Sequence, residues 1–334
     1  MYPLKFNPIL KTVVWGGEKI APFKGIATDQ HNIGESWELS GVRGNESVVS
    51  EGSLAGRDIA SLVKEFKGRL VGEKVYASTG DEFPLLIKFI DAMGDLSIQV
   101  HPNDELAARR HDGSKGKTEM WYVVAAEPGA HLLAGLTREI SPEEYEKRVS
   151  DGSITEVLAR HEVSAGDVFF LPAGRIHAIC SGCFIAEIQQ TSDITYRIWD
   201  YGRLGLDGKP RQLHTELAKD AIDYTVYPSY RTDYVPAKGS EVEVVRCKYF
   251  TTSVLDVEQS FTKDLTGLDS FLVVMCVEGN GELTDSEPVF DEEGRRGPTK
   301  GHRTTIRRGE TVLIPASSAG VRFDGRMKLI LSHV

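Results

Sequence analysis

No stretch of the chain stays apolar for anything near the roughly 18 residues that a membrane span requires, so a transmembrane protein is not expected. Positive charge is also short: 39 lysines and arginines stand against 49 aspartates and glutamates, a net charge of −10. That balance disfavours a general nucleic-acid or anionic-membrane surface, which needs a basic stripe. A few local cations would still suffice for a small anionic substrate. The opening residues Met1-Tyr2-Pro3-Leu4-Lys5-Phe6 lack the basic region and apolar run of a signal peptide, and a cytoplasmic protein is expected. Cysteine is sparse at four residues. Cys180-Ser181-Gly182-Cys183 has the C-x-x-C spacing of redox and zinc sites, yet the second pair that a structural zinc would need is missing. Apolar strand-forming residues flank it on both sides, where a redox motif should open a helix. It reads as a hairpin turn at Ser181-Gly182 with small buried thiols. With 40% hydrophobic and 26% charged residues, extensive disorder is not expected either.

What the chain has in quantity is short strands. Residues 47–50, 84–91, 96–101, 120–125, 131–134, 167–171, 177–180 and 184–189 are apolar or alternating, and punctuated by Gly, Pro and Asp. A further set lies at 242–247, 250–255, 270–277, 304–306, 311–314 and 329–333. Helical spacing is confined to a few places. Ile59, Leu62, Val63 and Phe66 recur on one face over 57–66, and Leu213 opens a helical run over 213–224. Ser141-Pro142-Glu143-Glu144 has the cap, proline and early acids of a helix start. The pattern predicts a mainly β sandwich or barrel with a few decorating helices.

A faint internal repeat refines this. Gly166-Asp167-Val168-Phe169-Phe170-Leu171-Pro172-Ala173-Gly174-Arg175-Ile176-His177 has a counterpart in Gly309-Glu310-Thr311-Val312-Leu313-Ile314-Pro315-Ala316, which reaches Gly320 where the first copy has His177. The first copy resembles the second half of the cupin motif, a small jelly-roll barrel with a metal in its mouth. Two cupin-like jelly-roll barrels are therefore expected. Residues 1–235 would form a catalytic, metal-binding unit with helical insertions. Residues 236–334 would form a C-terminal unit without metal ligands, the junction falling within 228–240.

In Ser97-Ile98-Gln99-Val100-His101-Pro102, strand alternation puts Gln99 and His101 on one face, and Pro102 ends the strand beside them. In a cupin-like barrel the further ligands would be Glu119, from Gly116-Lys117-Thr118-Glu119-Met120-Trp121-Tyr122, and His177. Two imidazoles, a carboxylate and an amide suit zinc, with manganese or iron possible. Lys117 shares the face of Glu119. Within the run from Glu187 to Arg203, Gln189-Gln190-Thr191-Ser192-Asp193 is too polar for a core strand, and the density of acid, amide, hydroxyl and guanidinium groups suits a polyhydroxylated ligand; Arg197 can fork onto a phosphate or an oxyanion. The remaining histidines, His214 among them, read as surface or hydrogen-bonded residues.

Ser97 to Asp104, Gly116 to Tyr122, the His177 motif and the Glu187-to-Arg197 run together resemble type I mannose-6-phosphate isomerase, in its shorter bacterial branch. Trp15-Gly16-Gly17, Gly34-Glu35-Ser36-Trp37-Glu38 and Pro84-Leu85-Leu86-Ile87-Lys88 add to the resemblance. It implies one zinc ion on Gln99, His101, Glu119 and His177, and an active-site lysine, acid and arginine at Lys117, Glu187 and Arg197. It also implies a zinc-dependent aldose–ketose isomerase that interconverts mannose 6-phosphate and fructose 6-phosphate through an enediol(ate). Lys88, Asp193 and Arg203 are the candidates for further substrate contacts, Lys88 and Arg203 for the phosphate. Two rival readings are a non-catalytic sugar-binding cupin and an iron cupin dioxygenase. The second usually needs three histidines, which Gln99 fits poorly.

Overall fold

The computed structural model describes residues 1–286 and 301–334. Strands dominate it, so the fold is mainly β, as the turn-punctuated apolar runs imply. Two antiparallel sheets form the first barrel. One has seven strands, in the order Arg231–Thr232, Val168–Leu171, Glu119–Ala126, Cys183–Gln190, Leu85–Asp91, Ile33–Ser40 and Ile9–Gly17. The other has five, in the order Tyr196–Trp199, Ile98–Val100, His177–Ile179, His131–Leu136 and Leu158–Glu162. Trp15, Ile90, Trp121, Ile185, Leu132 and Ile179 belong to the apolar core between them.

The opposite face of the larger sheet is also covered. Leu85, Ile87, Phe89 and Met120 pack in one core with Leu62 and Val63 of the helix Ile59–Phe66 and with Phe271 and Val273 further along the chain. Burial on both sides explains why every position of Leu85–Asp91 and Cys183–Gln190 is buried. Such strands lose the in–out alternation of a half-exposed sheet.

The helices follow their capping residues. The Asp58 side chain accepts from Ser61 N, and Ile59, Leu62 and Val63 are fully buried; a cap of this kind contributes about 1 kcal/mol. Ser141 caps Pro142–Asp151 in the same way, with the proline in the first turn and left-handed Gly152 closing the helix. The helix expected over 213–224 is only Thr215–Ala221. His214 is held outside it because its Nδ1 accepts from Arg197 N (3.0 Å) and its N–H donates to Arg197 O (2.7 Å), tying it to a strand instead. Residues 47–50 do not form a strand: Val48 and Val49 make isolated bridges to Asp58 and Phe6.

A third sheet, of eight strands, contains Thr311–Ile314, Leu272–Ser286, Gly320–His333, Thr251–Val257 and Glu241–Arg246. Its edge is the first strand of the chain, Leu4–Lys5, with Leu4 opposite Leu313. The two halves of the repeat behave alike. Gly166 and Gly309 both take left-handed backbone (φ 95° and 84°) at the turn before the strand. His177 and Gly320 each begin the strand that follows. Gly182, at φ 87°, makes the turn between Cys180 and Cys183. Both thiols are free and buried, and burial pushes Cys183 up to about 12, so neither is poised as a nucleophile. Among the described residues, no helix is long and apolar enough to cross a membrane.

Candidate active site

Strand register assembles the site in two rows. On the larger sheet Trp37, Lys88, Glu187 and Trp121 lie directly opposite one another on four successive strands. On the smaller sheet Arg197, Gln99 and His177 do the same on three. Opposite residues in antiparallel strands share a face. Both rows therefore send side chains into the space between the sheets.

His101, Glu119 and His177 meet at the inner end, all of them buried, with their donor atoms within 4.8 Å of one another. His101 Nε2 lies 3.4 Å from Glu119 Oε2, and His177 Nε2 lies 3.3 Å from Glu119 Oε1. Each imidazole is aimed from behind. His101 Nδ1 donates to Ile194 O (2.9 Å) and His177 Nδ1 to Arg175 O (2.7 Å), so the proton sits on Nδ1 and the Nε2 lone pair faces the cluster. Burial, reinforced by Lys117, pushes His101 down to about 3, and burial also lowers His177; both rings are neutral at ordinary pH. Burial alone would push Glu119 up. The Lys117 ammonium overcomes it and holds the carboxyl well below its usual range.

Neither oxygen of Glu119 makes a hydrogen bond, although Lys117 Nζ stands 2.8 Å from Oε2 and 3.0 Å from His101 Nε2. A fully buried carboxylate with two orphaned oxygens, flanked by two imidazole lone pairs, is a donor set that fits a divalent cation. Gln99 completes the group from the neighbouring strand. Its amide nitrogen lies 3.5 Å from His177 Nε2, and a half-turn of the amide exchanges that nitrogen for its oxygen, the only atom of the two that can ligate.

Above the cluster lies a cavity of about 330 Å³ lined by Gln99, Lys117, Lys88, Glu187, Asp193 and Arg197, among others. Glu187 Oε2 accepts from the Trp121 indole N–H (2.8 Å), while Oε1, without a hydrogen bond, has the Lys88 ammonium 3.1 Å away as an ion-pair partner. Lys88 also reaches Glu35 at 3.5 Å. Burial would lower the Lys88 ammonium, but Glu187 and Glu35 outweigh it and raise it above its ordinary value. Glu35 is held below its own, since Lys88 and the Trp37 N–H outweigh burial. Lys88 thus lines the cavity with its charge already shared between two carboxylates.

At the mouth, Asp193 is exposed and Arg197 is half-buried, its Nη1 on Gln212 O (2.9 Å) and its Nε without a hydrogen-bond partner. Arg203 is not among the cavity residues. It binds Asp200 (2.9 Å) and the Asp95 carbonyl. The same Asp200 grips Arg211 with two hydrogen bonds of 2.7 and 2.6 Å, and Arg211 does line the cavity, as do His214, Glu35 and Trp37. Sequence reasoning gave none of these four a role. For Glu35 and Trp37 the signal was the Gly34-to-Glu38 motif itself. For Arg211 and His214 there was none, because thirteen and sixteen residues separate them from Arg197 until the fold returns them to it.

A double-sheet cupin barrel with a buried His–Glu–His cluster beside a charged, aromatic-walled cavity defines a cupin whose cluster could hold a metal ion. The family model described as phosphomannose isomerase type I, catalytic domain, matches residues 4–125. The chain is 31% identical over 338 residues to mannose-6-phosphate isomerase ManA of Bacillus subtilis, covering 99% of each. It is likewise 31% identical to mannose-6-phosphate isomerase of Streptococcus mutans, covering 99% of this chain and 98% of that one. The crystal structure of mannose 6-phosphate isomerase from Bacillus subtilis superposes with a TM-score of 0.86 at 28% identity, covering 100% of both chains. Mutant structures of phosphomannose isomerase from Salmonella typhimurium share the fold at a TM-score of 0.75 and 18% identity. The chain belongs to the type I mannose-6-phosphate isomerase family and is an isomerase.

Proposed function

We propose that the chain interconverts mannose 6-phosphate and fructose 6-phosphate, with one zinc ion held by Gln99, His101, Glu119 and His177. The observation that carries this is the orphaned, buried Glu119 carboxylate between two Nε2 atoms, linked through Gln99 and Lys117 to a cavity lined also by Glu187 and Arg197. When bound, zinc supplies Lewis-acid polarisation of a sugar oxygen. The residues of the chain do the rest. Arg197 and Arg211 at the mouth take the phosphate, and the open-chain sugar extends inward. A base removes the C2 proton, the C2–H electron pair becomes the C1–C2 double bond of an enediol(ate), and O1 takes up charge. Return of a proton to C1, with loss of the O2 proton, gives the ketose. Lys117 and Glu187 carry these proton transfers. Glu187 is suited to it because Trp121 and Lys88 fix its orientation.

Residues 1–235 perform this chemistry in our reading, and 236–334 act as a second cupin-like barrel that covers the outer face of the larger sheet. The shared apolar core of Phe89 with Phe271 supports that division of labour. The test is a coupled assay on purified, zinc-loaded protein with both hexose phosphates. Absence of turnover in either direction, with sugar binding retained, would favour the non-catalytic cupin instead.

A further inference from the structure

Lys117 sits in an irregular segment, the run between the helix Asp104–Arg110 and the strand beginning at Glu119. Its backbone is nonetheless held at every step. Lys117 N donates to Pro102 O (3.1 Å), Ser192 Oγ to Lys115 O (3.0 Å), and Thr118 N to Gln190 Oε1 (2.9 Å). Gly116 is pressed so closely onto the Pro102–Asp104 backbone that an added Cβ would stand 2.5 Å from Asp104 N. One side chain ties these contacts together. Asp104 Oδ1 accepts from both Gly116 N and Gln190 Nε2, each at 3.0 Å. Its other oxygen is taken by a residue from far along the chain: Tyr249 Oη donates to Asp104 Oδ2 at 2.7 Å.

Tyr249 lies in the turn joining Glu241–Arg246 to Thr251–Val257, strands of the third sheet. The next residue, Phe250, is buried in the core shared with the larger catalytic sheet, and Tyr249 packs against that core. The turn is therefore anchored, and its phenol reaches back to the active-site loop. We infer that Tyr249 is a positioning residue: through Asp104 and Gly116, the C-terminal unit fixes where the Lys117 ammonium stands. The inference builds on the proposed isomerase reading for Lys117. It assigns the C-terminal unit a part in turnover beyond covering an apolar face.

The experiment compares wild type, Tyr249→Phe, Asp104→Ala and the double variant, all zinc-loaded. Tyr249→Phe removes one hydroxyl and keeps the ring in its apolar seat, so the fold is retained. Hydrogen exchange of the peptide spanning Gly116 to Thr118 is expected to quicken in Tyr249→Phe. With mannose 6-phosphate, kcat is expected to fall about fivefold, the scale of a small misplacement of a reacting group, with KM within twofold of wild type. In the Asp104→Ala background the same substitution should change neither reading, because the link is already cut. Unchanged exchange in Tyr249→Phe would overturn the tether. Faster exchange with unaltered kcat, or a loss confined to thermal stability, would overturn its role in turnover. A wild type inactive on mannose 6-phosphate would instead sink the isomerase reading, and the exchange comparison would still decide the tether.

Discussion

Lys117 Nζ lies 2.8 Å from Glu119 Oε2, the two side chains buried together where the irregular run from Arg110 enters the strand at Glu119. Within the protein alone, the lysine is the nearest full positive charge to a carboxylate with no hydrogen bond of its own. A divalent cation at the cluster would take over that compensation.

Lys117→Met should therefore have unequal effects on the two forms. Stranding the buried carboxylate should cost the metal-free protein about 3 kcal/mol in urea unfolding, and the zinc-loaded protein much less. Turnover should fall by about 100-fold or more in the loaded form. Equal destabilisation of both forms would show that Glu119 does not hold the metal.

His101→Ala removes one imidazole and leaves its Ile194 carbonyl acceptor free. Zinc affinity should weaken by more than about 100-fold, since even residues that only orient ligands cost 10- to 100-fold. Metal analysis after dialysis, beside the coupled assay, checks this. Full retention of zinc would mean that the ligand set is wrong.

Arg211→Met should raise KM for mannose 6-phosphate about tenfold, or about 1.4 kcal/mol, with kcat within twofold. Asp200 keeps Arg203, so the loop remains anchored. Steady-state kinetics decide the matter, and an unaltered KM would place the phosphate elsewhere.

Glu35 and Lys88 make the pH dependence testable. Glu35 is held below its ordinary 4.5, chiefly because Lys88 outweighs burial. A carboxyl lowered on folding stabilises the protein above its unfolded value, and that contribution is lost as pH falls through the folded one. Wild type should thus lose stability below about pH 4.5. In Lys88→Met, Glu35 loses the cation that outweighs its burial, its carboxyl rises, and the sign reverses. That variant should be markedly less stable than wild type at pH 7 and should close the gap as the pH falls toward 5. Parallel stability curves across this range would contradict the arrangement.

Much of the site was legible in the sequence because strand alternation is local. Gln99 and His101 share a face over three residues, and so do Lys117 and Glu119. Cap chemistry placed Ser141 and its helix equally well. Register between strands was not legible. Nothing local announces that Trp37, Lys88, Glu187 and Trp121 fall in one row, since all four strands are sequence-distant. Nor could composition show that Lys88 is neutralised from two sides. The truncated helix after His214 was misjudged for a related reason: helical spacing was present, but a tertiary hydrogen bond to Arg197 outweighed it.

The pairing of Leu4 with Leu313 sets the order in which the molecule can be completed. A nascent chain emerges from its N-terminus, and Ser50 reaches Lys5 O early, yet the first strand finds its place in the sheet only after nearly all the remaining residues have been synthesised. Until then the apolar Leu4 stays without its partner, and the last sheet cannot close. Pairings so distant in sequence slow folding and prolong the exposure of unpaired edges. A tag or fusion at the N-terminus would compete for that late step.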